Sequence, residues 1–340
     1  MPTPLEQSIL RTATWFSLFE TPVTVFELWK WMLDSDRAYT LEETYQALEG
    51  AWLRERLSES DGTWTIRPSE TPTPGVGVSD GFVGVLGSEA TKKHQPPGLV
   101  FGRREKFLDA TRKYQKLRWA MWYVRCVPGI RAVAAGNTLA WWNTRPDSDI
   151  DLLVVTRPGM IWLARLLVVT PFALLGKRPG ASAVDPFCFS FFVTTDALDF
   201  SSLRLDGGDP YLAYWTCSLV PVYDRGGIFD RIVAENGWTG ESLKHVGTAR
   251  RSSPSDRSLA EHPPSRGPSR VATALERIAG AAQFRRFPAK IRSLMNADSR
   301  VVVSDQMLKF HENDRRSDYR ERLNRLCASP SVASPTSSSS

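Results

Sequence analysis

The chain has 340 residues, of which 42% are hydrophobic and 24% are charged, and its formal net charge is +6. This globular composition excludes a wholly disordered or fibrous chain, and the length predicts two or three domains. The charge is uneven: residues 1–99 carry 8 basic and 14 acidic side chains, residues 100–125 carry 8 and 2, and residues 241–340 carry 18 and 10. The small net charge of the whole chain therefore results from an acidic N-terminal segment and two basic segments.

Neither the cysteines nor the apolar segments indicate a secreted or membrane protein. The four cysteines form no CxxC pair, which argues against a zinc ribbon. The most apolar stretch, residues 160–175, is interrupted by Arg165 and Pro171 and is shorter than the ~20 residues that a membrane-spanning helix needs. We therefore expect a buried helix there, a cytoplasmic location and no membrane partner.

Residues 1–67 have the pattern of a winged helix. Apolar spacing predicts helices over residues 5–19, 25–33 and 41–53, the last of them opened by a capping box of Thr40 and Glu43. The dipeptide Asp61-Gly62 predicts the turn of a hairpin. Because residues 1–67 hold 6 basic and 11 acidic side chains, their charge argues against DNA binding and favours a protein-interaction or packing module.

The rest of the chain divides by composition. Residues 68–100 are rich in Pro, Gly and Ser and predict a linker. Residues 101–240 alternate helices and strands, which predicts an α/β domain. The expected elements there are a basic helix over 103–125, strands within 131–156, a helix over 161–175, a strand over 187–193 and a helix over 211–220.

The C-terminal part contains two segments of low complexity. Residues 241–270 are basic and rich in Pro and Ser, and residues 328–340 are rich in Ser, so we predict both to be disordered. Residues 271–327 predict a helical region. Its expected helices are one over 271–295, interrupted at Pro288, and an amphipathic one over 305–326.

The segment from Val133 to Thr156 carries the chemistry. A short apolar run ends at Gly136, and Asp149 and Asp151 open a second apolar strand. The two carboxylates fall on one face because side chains in a strand alternate. Two adjacent ionised carboxylates need a cation, and Mg²⁺ held by carboxylates and substrate phosphates supplies it, with Mn²⁺ as the other candidate. The glycine allows a triphosphate to approach the backbone, where Asn137 and Thr138 can donate to phosphate oxygens.

This arrangement resembles the nucleotidyltransferase superfamily that includes DNA polymerase beta, and its minimal members in particular. The resemblance is carried by Gly136-Asn137 and by the run from Ser148 to Val155. Weaker support comes from Gly102-Arg103, from the helix with Trp162 and Arg165, and from Phe310-His311. It implies an α/β (α+β) fold: a core of a small mixed sheet with flanking helices, preceded by a winged helix and followed by C-terminal helices. It also implies that Asp149 and Asp151 bind metal and that the turn binds nucleotide.

The sequence departs from the family pattern at two places. Asn137 stands where Gly or Ser usually follows the turn glycine, and Asn still hydrogen-bonds phosphate. Many members have a third carboxylate on a later strand, whereas the strand over 187–193 contains none. Asp185 is the nearby candidate for a third catalytic carboxylate, and its alternative role is that of a turn residue before Pro186. Ser148 is either a phosphate contact or a turn hydroxyl.

Several other residues allow two interpretations. The basic helix over 103–125 is either a solvated face or a surface that steers a polyanion toward the acidic site. Arg165 either pairs with a core acid or reaches a phosphate, because an unpaired charge in an apolar helix is costly. His311 is expected to be structural or exposed rather than catalytic. Trp141 and Trp142 are expected in the core, with base stacking as the alternative.

Two functions follow from these residues. The first is a metal-dependent nucleotidyltransferase that moves a nucleoside monophosphate from a nucleoside triphosphate to an RNA, protein or small-molecule acceptor and releases pyrophosphate. The alternative is a catalytically degenerate member that serves as a regulatory module binding protein or nucleic acid.

Overall fold

A computed structural model describes residues 1–67, 99–179, 183–246 and 269–328. The predicted linker, except residues 99 and 100, most of the predicted basic segment and nearly all of the predicted tail lie outside these residues. The chain forms two compact units. The first draws on Met1–Glu105, Gly240–Ser253 and Asp318–Ser340, and the second on Lys106–Thr239 and Pro254–Ser317.

The first unit contains short helices and a small antiparallel sheet of order β1-β3-β2. Its N-terminal elements are α1 (Pro4–Ser17), β1 (Val23–Thr24), α2 (Val25–Lys30), α3 (Leu41–Leu48), α4 (Ala51–Arg54), β2 (Leu57–Ser60) and β3 (Thr63–Ile66). The predicted hairpin is confirmed: Asp61 and Gly62 have φ values of 50° and 72°, the left-handed conformations that a two-residue hairpin turn requires.

Capping boxes start three helices of this unit, and one predicted helix is divided. The threonines Thr3, Thr24 and Thr40 each exchange hydrogen bonds with a glutamate three residues later.

The prediction of one helix over 41–53 is wrong, because α3 ends at Leu48 and Gly50 is the N-cap of a separate short helix, α4. Glycine is a poor residue for a helix interior, which accounts for the break.

The second unit is built on a six-stranded mixed sheet of order β7-β4-β5-β6-β9-β8. Strands β5 and β6 are parallel, and the other neighbours are antiparallel. The elements that follow β3 in the described residues are α5 (Leu99–Val124), β4 (Ile130–Ala135), α6 (Asn137–Ala140), β5 (Ile150–Thr156), α7 (Ile161–Leu174), β6 (Phe187–Thr194), α8 (Pro210–Ser218), β7 (Val220–Asp224), α9 (Ile228–Glu235), α10 (Thr239–Ser242), α11 (Arg270–Arg285), α12 (Ala289–Leu294), β8 (Val301–Val303), β9 (Met307–Phe310) and α13 (Arg316–Ala328). Most of α10 and α13 belongs to the first unit, and so does the beginning of α5.

Alternating side chains of this sheet supply two cores. Leu152 and Val154 of β5 face helices α5, α7 and α11, whereas Leu153 and Val155 face helices α8 and α9. The near-continuous apolar run of β5 is typical of a strand covered on both faces. The expected α/β class is confirmed as a mixed sheet with helices on both faces. None of the described helices is both long and apolar enough to cross a membrane.

The structure corrects the sequence-based prediction at two strands. Val220 begins β7 rather than ending a helix, and residues 307–310 form β9 rather than part of an amphipathic helix. Met307, Leu308 and Lys309 pair with β6, and the β-branched run Val301–Val303 pairs with β9 in turn. Only about half of the helix predicted over 305–326 forms, as α13. The predicted interruption at Pro288 is confirmed, since this residue caps α12.

Replacement of Leu308 by alanine tests the position of β9. Leu308 is fully buried in the core beneath the sheet, so L308A should lower the free energy of unfolding by about 2–5 kcal/mol. The control is L275A on α11, whose side chain is 47% exposed and whose loss should cost less than about 0.5 kcal/mol. Urea unfolding measures both values, and equal losses would contradict a buried β9.

Candidate active site

The pairing of β4 with β5 brings the predicted glycine turn beside the predicted carboxylates. Ala135, the last residue of β4, lies opposite Leu152. Immediately beyond it, the Gly136 amide donates a hydrogen bond to the carbonyl of Asp151, with 3.0 Å between nitrogen and oxygen. The structure therefore places residues 136–138 and the start of β5 side by side.

Close packing accounts for the presence of glycine at position 136, and backbone conformation accounts for the presence of asparagine at position 137. A Cβ atom on Gly136 would lie 3.0 Å from Nε1 of Trp215, so a larger residue would displace that indole. Asn137 has a φ of 50°, in the left-handed region that asparagine tolerates better than most residues. The Asn137 side chain accepts a hydrogen bond from the hydroxyl of Tyr211 at 3.2 Å. Thr138 follows in the same short helix, α6.

Asp149 and Asp151 are both partly buried, and both resist ionisation. Burial raises the pKa of Asp149 above its usual value, although the Lys113 ammonium opposes this rise. Burial raises the pKa of Asp151 to about 6; a hydrogen bond with Asn137 opposes that rise, and the charge of Asp149 adds to it. A cation bound by both carboxylates would offset the cost of ionising these buried groups and would reduce their mutual repulsion.

A row of polar side chains continues from Asp151 across β6, and sequence reasoning missed it. Cys188 lies opposite Asp151 in the parallel register and hydrogen-bonds its carboxylate. Ser190 hydrogen-bonds the Cys188 thiol and also lies 3.0 Å from Nε2 of His311. The available signal was the alternation of Cys188 and Ser190 with the phenylalanines of β6. Burial raises the pKa of Cys188 and lowers that of His311 to about 3, so both are neutral near pH 7.

Asp185 is buried within a group of cations on α5. Its carboxylate accepts hydrogen bonds from both Arg112 amino groups at 2.9 and 2.8 Å, and Lys116 bonds one of the same oxygens. The Lys113 ammonium lies 3.8 Å away. A carboxylate neutralised in this way anchors α5 to the start of β6. Its predicted role as a third catalytic carboxylate stays a prediction.

Lys113 fixes the loop that leads to Asp149. Its side chain is fully buried, forms an ion pair of 2.9 Å with Asp109, and donates to the carbonyl of Arg145. Asp109 in turn accepts a hydrogen bond from the Thr144 hydroxyl at 2.7 Å. Ser148 closes the same loop, because its hydroxyl accepts the Arg145 amide at 2.9 Å, which is the turn role considered for it.

The basic helix fits neither of its two interpretations completely. Arg112, Lys113 and Lys116 pair with Asp109 or Asp185, and Arg103, which belongs to the first unit, pairs within that unit with Glu27 at 2.6 Å. Much of its charge is therefore paired within the protein, although the Arg112 and Lys116 side chains remain 45% and 42% exposed.

Arg165 and Trp142 also have internal partners. Arg165 donates to the amide oxygen of Gln283 at 2.6 Å and lies 4.7 Å above the ring of Phe310, and it forms no ion pair with an acid of the described residues. The ring of Trp142 lies 4.9 Å from that of Phe107 in a stacked arrangement, and it is 37% exposed. Trp142 therefore lies at the surface rather than in the core.

The donor set suits a cation that shares its ligands with a substrate. Within the described parts of the chain, no group of three or more His, Cys, Asp or Glu side chains could enclose a metal. Two carboxylates are nevertheless the usual protein contribution to a Mg²⁺ ion that also binds substrate phosphates. Asp149 and Asp151, with their raised pKa values, fit that requirement.

No protein-family model, curated protein or solved structure matches the chain.

The raised pKa of Asp151 predicts that this carboxylate destabilises the metal-free protein. The folded chain binds the proton of the Asp151 carboxyl more tightly than the unfolded chain does. Protonation of Asp151 therefore stabilises the folded chain fully below pH 3.8, and this stabilisation is lost as the pH rises through about 6. Above pH 6, D151N should therefore stabilise the protein in EDTA by about 1–3 kcal/mol. Urea unfolding at pH 8 and pH 5 should show the gain shrinking at the lower pH. The control is D147N, which removes an exposed carboxylate of the same loop, and equal effects at pH 8 would contradict the assignment.

The buried Lys113 predicts a large loss of stability in K113M. This change leaves two buried acids with less compensating charge and leaves the Arg145 carbonyl without its ammonium donor, so unfolding should become easier by about 3 kcal/mol. The matched control is K290M, which breaks an exposed 3.1 Å pair with Glu312 and should cost less than about 1 kcal/mol. Urea unfolding again provides the measurement. Similar losses in the two variants would show that Lys113 does not anchor the loop.

Proposed function

We propose that the chain is a metal-dependent nucleotidyltransferase of the DNA polymerase beta type. The observation that supports this proposal best is the juxtaposition of the Gly136 turn with the Asp149 and Asp151 pair, joined by the 3.0 Å hydrogen bond from Gly136 to Asp151. In this reaction an acceptor hydroxyl or other nucleophile attacks the α-phosphorus of a nucleoside triphosphate. The bond from the α-phosphorus to the bridging oxygen breaks, and pyrophosphate leaves.

In the proposed reaction the two carboxylates hold the cation. Asp149 and Asp151 would bind one or two Mg²⁺ ions, or Mn²⁺, together with the triphosphate oxygens. The bound ion would supply positive charge against the negative charge that develops on the transferred phosphoryl group. Because the pKa of Asp151 is about 6, protons compete for this carboxylate below that pH. Activity should therefore fall as the solution becomes more acidic.

The residues of the turn would position the nucleotide. Gly136 would shape the turn, because its amide is bonded to the Asp151 carbonyl and Trp215 packs where a Cβ atom would lie. Asn137 and Thr138 would donate to those oxygens, and Tyr211 would hold the Asn137 amide in place through its 3.2 Å hydrogen bond. Ser148 would support the loop through the Arg145 amide and keep Asp149 in position.

The acceptor would be an RNA end, a protein side chain or a small molecule. The winged-helix-like segment, residues 1–67, is proposed to bind a protein rather than DNA because of its acidic charge.

Two observations favour a second function. The position opposite Asp151 on β6 holds Cys188, and Asp185 is bound by the cations of α5. A site without a third carboxylate would suit a regulatory protein that binds nucleotide without turnover.

Nucleotide labelling tests the enzymatic proposal. The full-length protein is incubated with each α-³²P-labelled nucleoside triphosphate, Mg²⁺ and cell extract, and labelled products are separated. The variant D149N/D151N should lose transfer by at least about a hundredfold, because both metal-binding charges are removed. The control is D196N, an exposed carboxylate beyond the far end of β6, which should transfer normally.

Two outcomes would change the assignment. Transfer that persists in D149N/D151N would reject these aspartates as the metal ligands. Mg²⁺-dependent nucleotide binding by calorimetry, without any labelled product, would favour the regulatory function instead.

A further inference from the structure

Four arginines from separate segments converge at the opposite end of the sheet from Asp149 and Asp151. Arg125 follows α5, Arg131 lies at the start of β4, Arg157 follows β5 and Arg225 follows β7. They meet because β4 is antiparallel to both β5 and β7, so its beginning lies beside the ends of its neighbours. Backbone hydrogen bonds fix this meeting point: the Arg157 amide donates to Gly129 at 2.7 Å, and the Arg225 amide donates to Arg131 at 3.0 Å.

These arginines line a cavity of about 220 Å³. The remaining lining residues are Cys126, Val127, Pro128, Gly129 and Ile130, so no acidic residue contributes to it. The Arg157 and Arg225 amides are already bonded within the backbone, so an anion in the cavity would have to be bound by the arginine side chains rather than by these amides. Such a lining provides many hydrogen-bond donors and a concentrated positive charge.

The charge of this pocket lacks a carboxylate partner within the described residues. None of the four arginines forms an ion pair there, whereas Arg112 and Arg316 pair with buried aspartates at 2.8 and 2.6 Å. Four like charges around one cavity repel one another, and a bound oxyanion would remove that repulsion. Guanidinium groups bind phosphate through paired, parallel hydrogen bonds, which makes phosphate the best-fitting oxyanion.

An exposed aromatic surface adjoins the pocket. The guanidinium of Arg125 lies 4.0 Å from the ring centre of Trp122, and this tryptophan is 67% exposed. Trp119, one helical turn earlier, is 81% exposed. Exposed aromatic rings beside basic groups are the elements with which proteins stack the bases of single-stranded nucleic acids while holding their phosphates.

We propose that this four-arginine pocket binds a phosphate group. Two sources share that chemistry: a free phosphorylated small molecule, and the backbone of a single-stranded RNA whose base stacks on Trp122. The proposed transfer reaction does not use the residues that form this pocket. The proposal of phosphate binding is therefore independent of the proposed reaction.

Calorimetry with pyrophosphate tests the pocket directly. The full-length protein is titrated in EDTA, which removes metal from Asp149 and Asp151 and leaves those carboxylates repelling the anion. The variant R157Q/R225Q should weaken binding by about tenfold or more, because two phosphate donors are lost. The matched control R104Q/R118Q removes the same charge from exposed positions of α5 outside the pocket and should stay within about twofold of the unmodified chain. Thermal unfolding of both variants checks that they fold.

A labelled single-stranded oligoribonucleotide, followed by fluorescence anisotropy, separates the two sources. If RNA is the ligand, W122A weakens oligonucleotide binding while pyrophosphate binding is unchanged. If the ligand is a small molecule, pyrophosphate binds and W122A changes neither titration. The proposal is overturned if the unmodified chain binds neither probe, or if R157Q/R225Q and R104Q/R118Q weaken binding equally.

Discussion

The buried ammonium of Lys113 is the interaction on which the candidate active site depends. It lies between Asp109 and Asp185 and donates to the Arg145 carbonyl in the loop that precedes Asp149. An unpaired charge in this position would be strongly unfavourable, so the helix, the loop and the start of β6 are constrained to meet around it. The same ammonium partly offsets the cost of ionising Asp149. One buried charge thereby links the packing of α5 to the electrostatics of the carboxylate pair.

Carboxylates at neighbouring strand starts have opposite surroundings. Asp185 is buried but surrounded by cations of α5, whereas Asp151 has neutral hydrogen-bond partners in Asn137 and Cys188 and is repelled by the charge of Asp149. A buried charge that its own fold does not neutralise favours an external cation. This contrast distinguishes an aspartate with a structural partner from one that is available for a ligand. A metal ion bound at the proposed site would therefore stabilise the folded chain.

Strand direction creates a charged surface at each end of the sheet. Antiparallel pairing of β4 with β5 brings Gly136 to Asp151 at one end, and the same pairing, extended to β7, gathers four arginines at the other. The two surfaces are separated by the length of β4, roughly 20 Å at 3.3 Å per residue. They carry opposite charge, and a metal–triphosphate complex would suit the acidic end, whereas a bare phosphate would suit the basic end.

Local patterns in the sequence determined much of the fold and part of the candidate site. The capping box at Thr40 and the turn at Asp61-Gly62 depend on residues a few positions apart, where backbone geometry alone sets the outcome. The missed features depend on register between distant segments: β9 pairs with β6, Cys188 lies opposite Asp151, and Lys113 and Asp185 are separated by more than seventy positions. Short-range periodicity carries no information about which strands become neighbours or which charges become buried together. Only the tertiary packing of the sheet against its helices decided those contacts, because burial and pairing are properties of the folded chain as a whole.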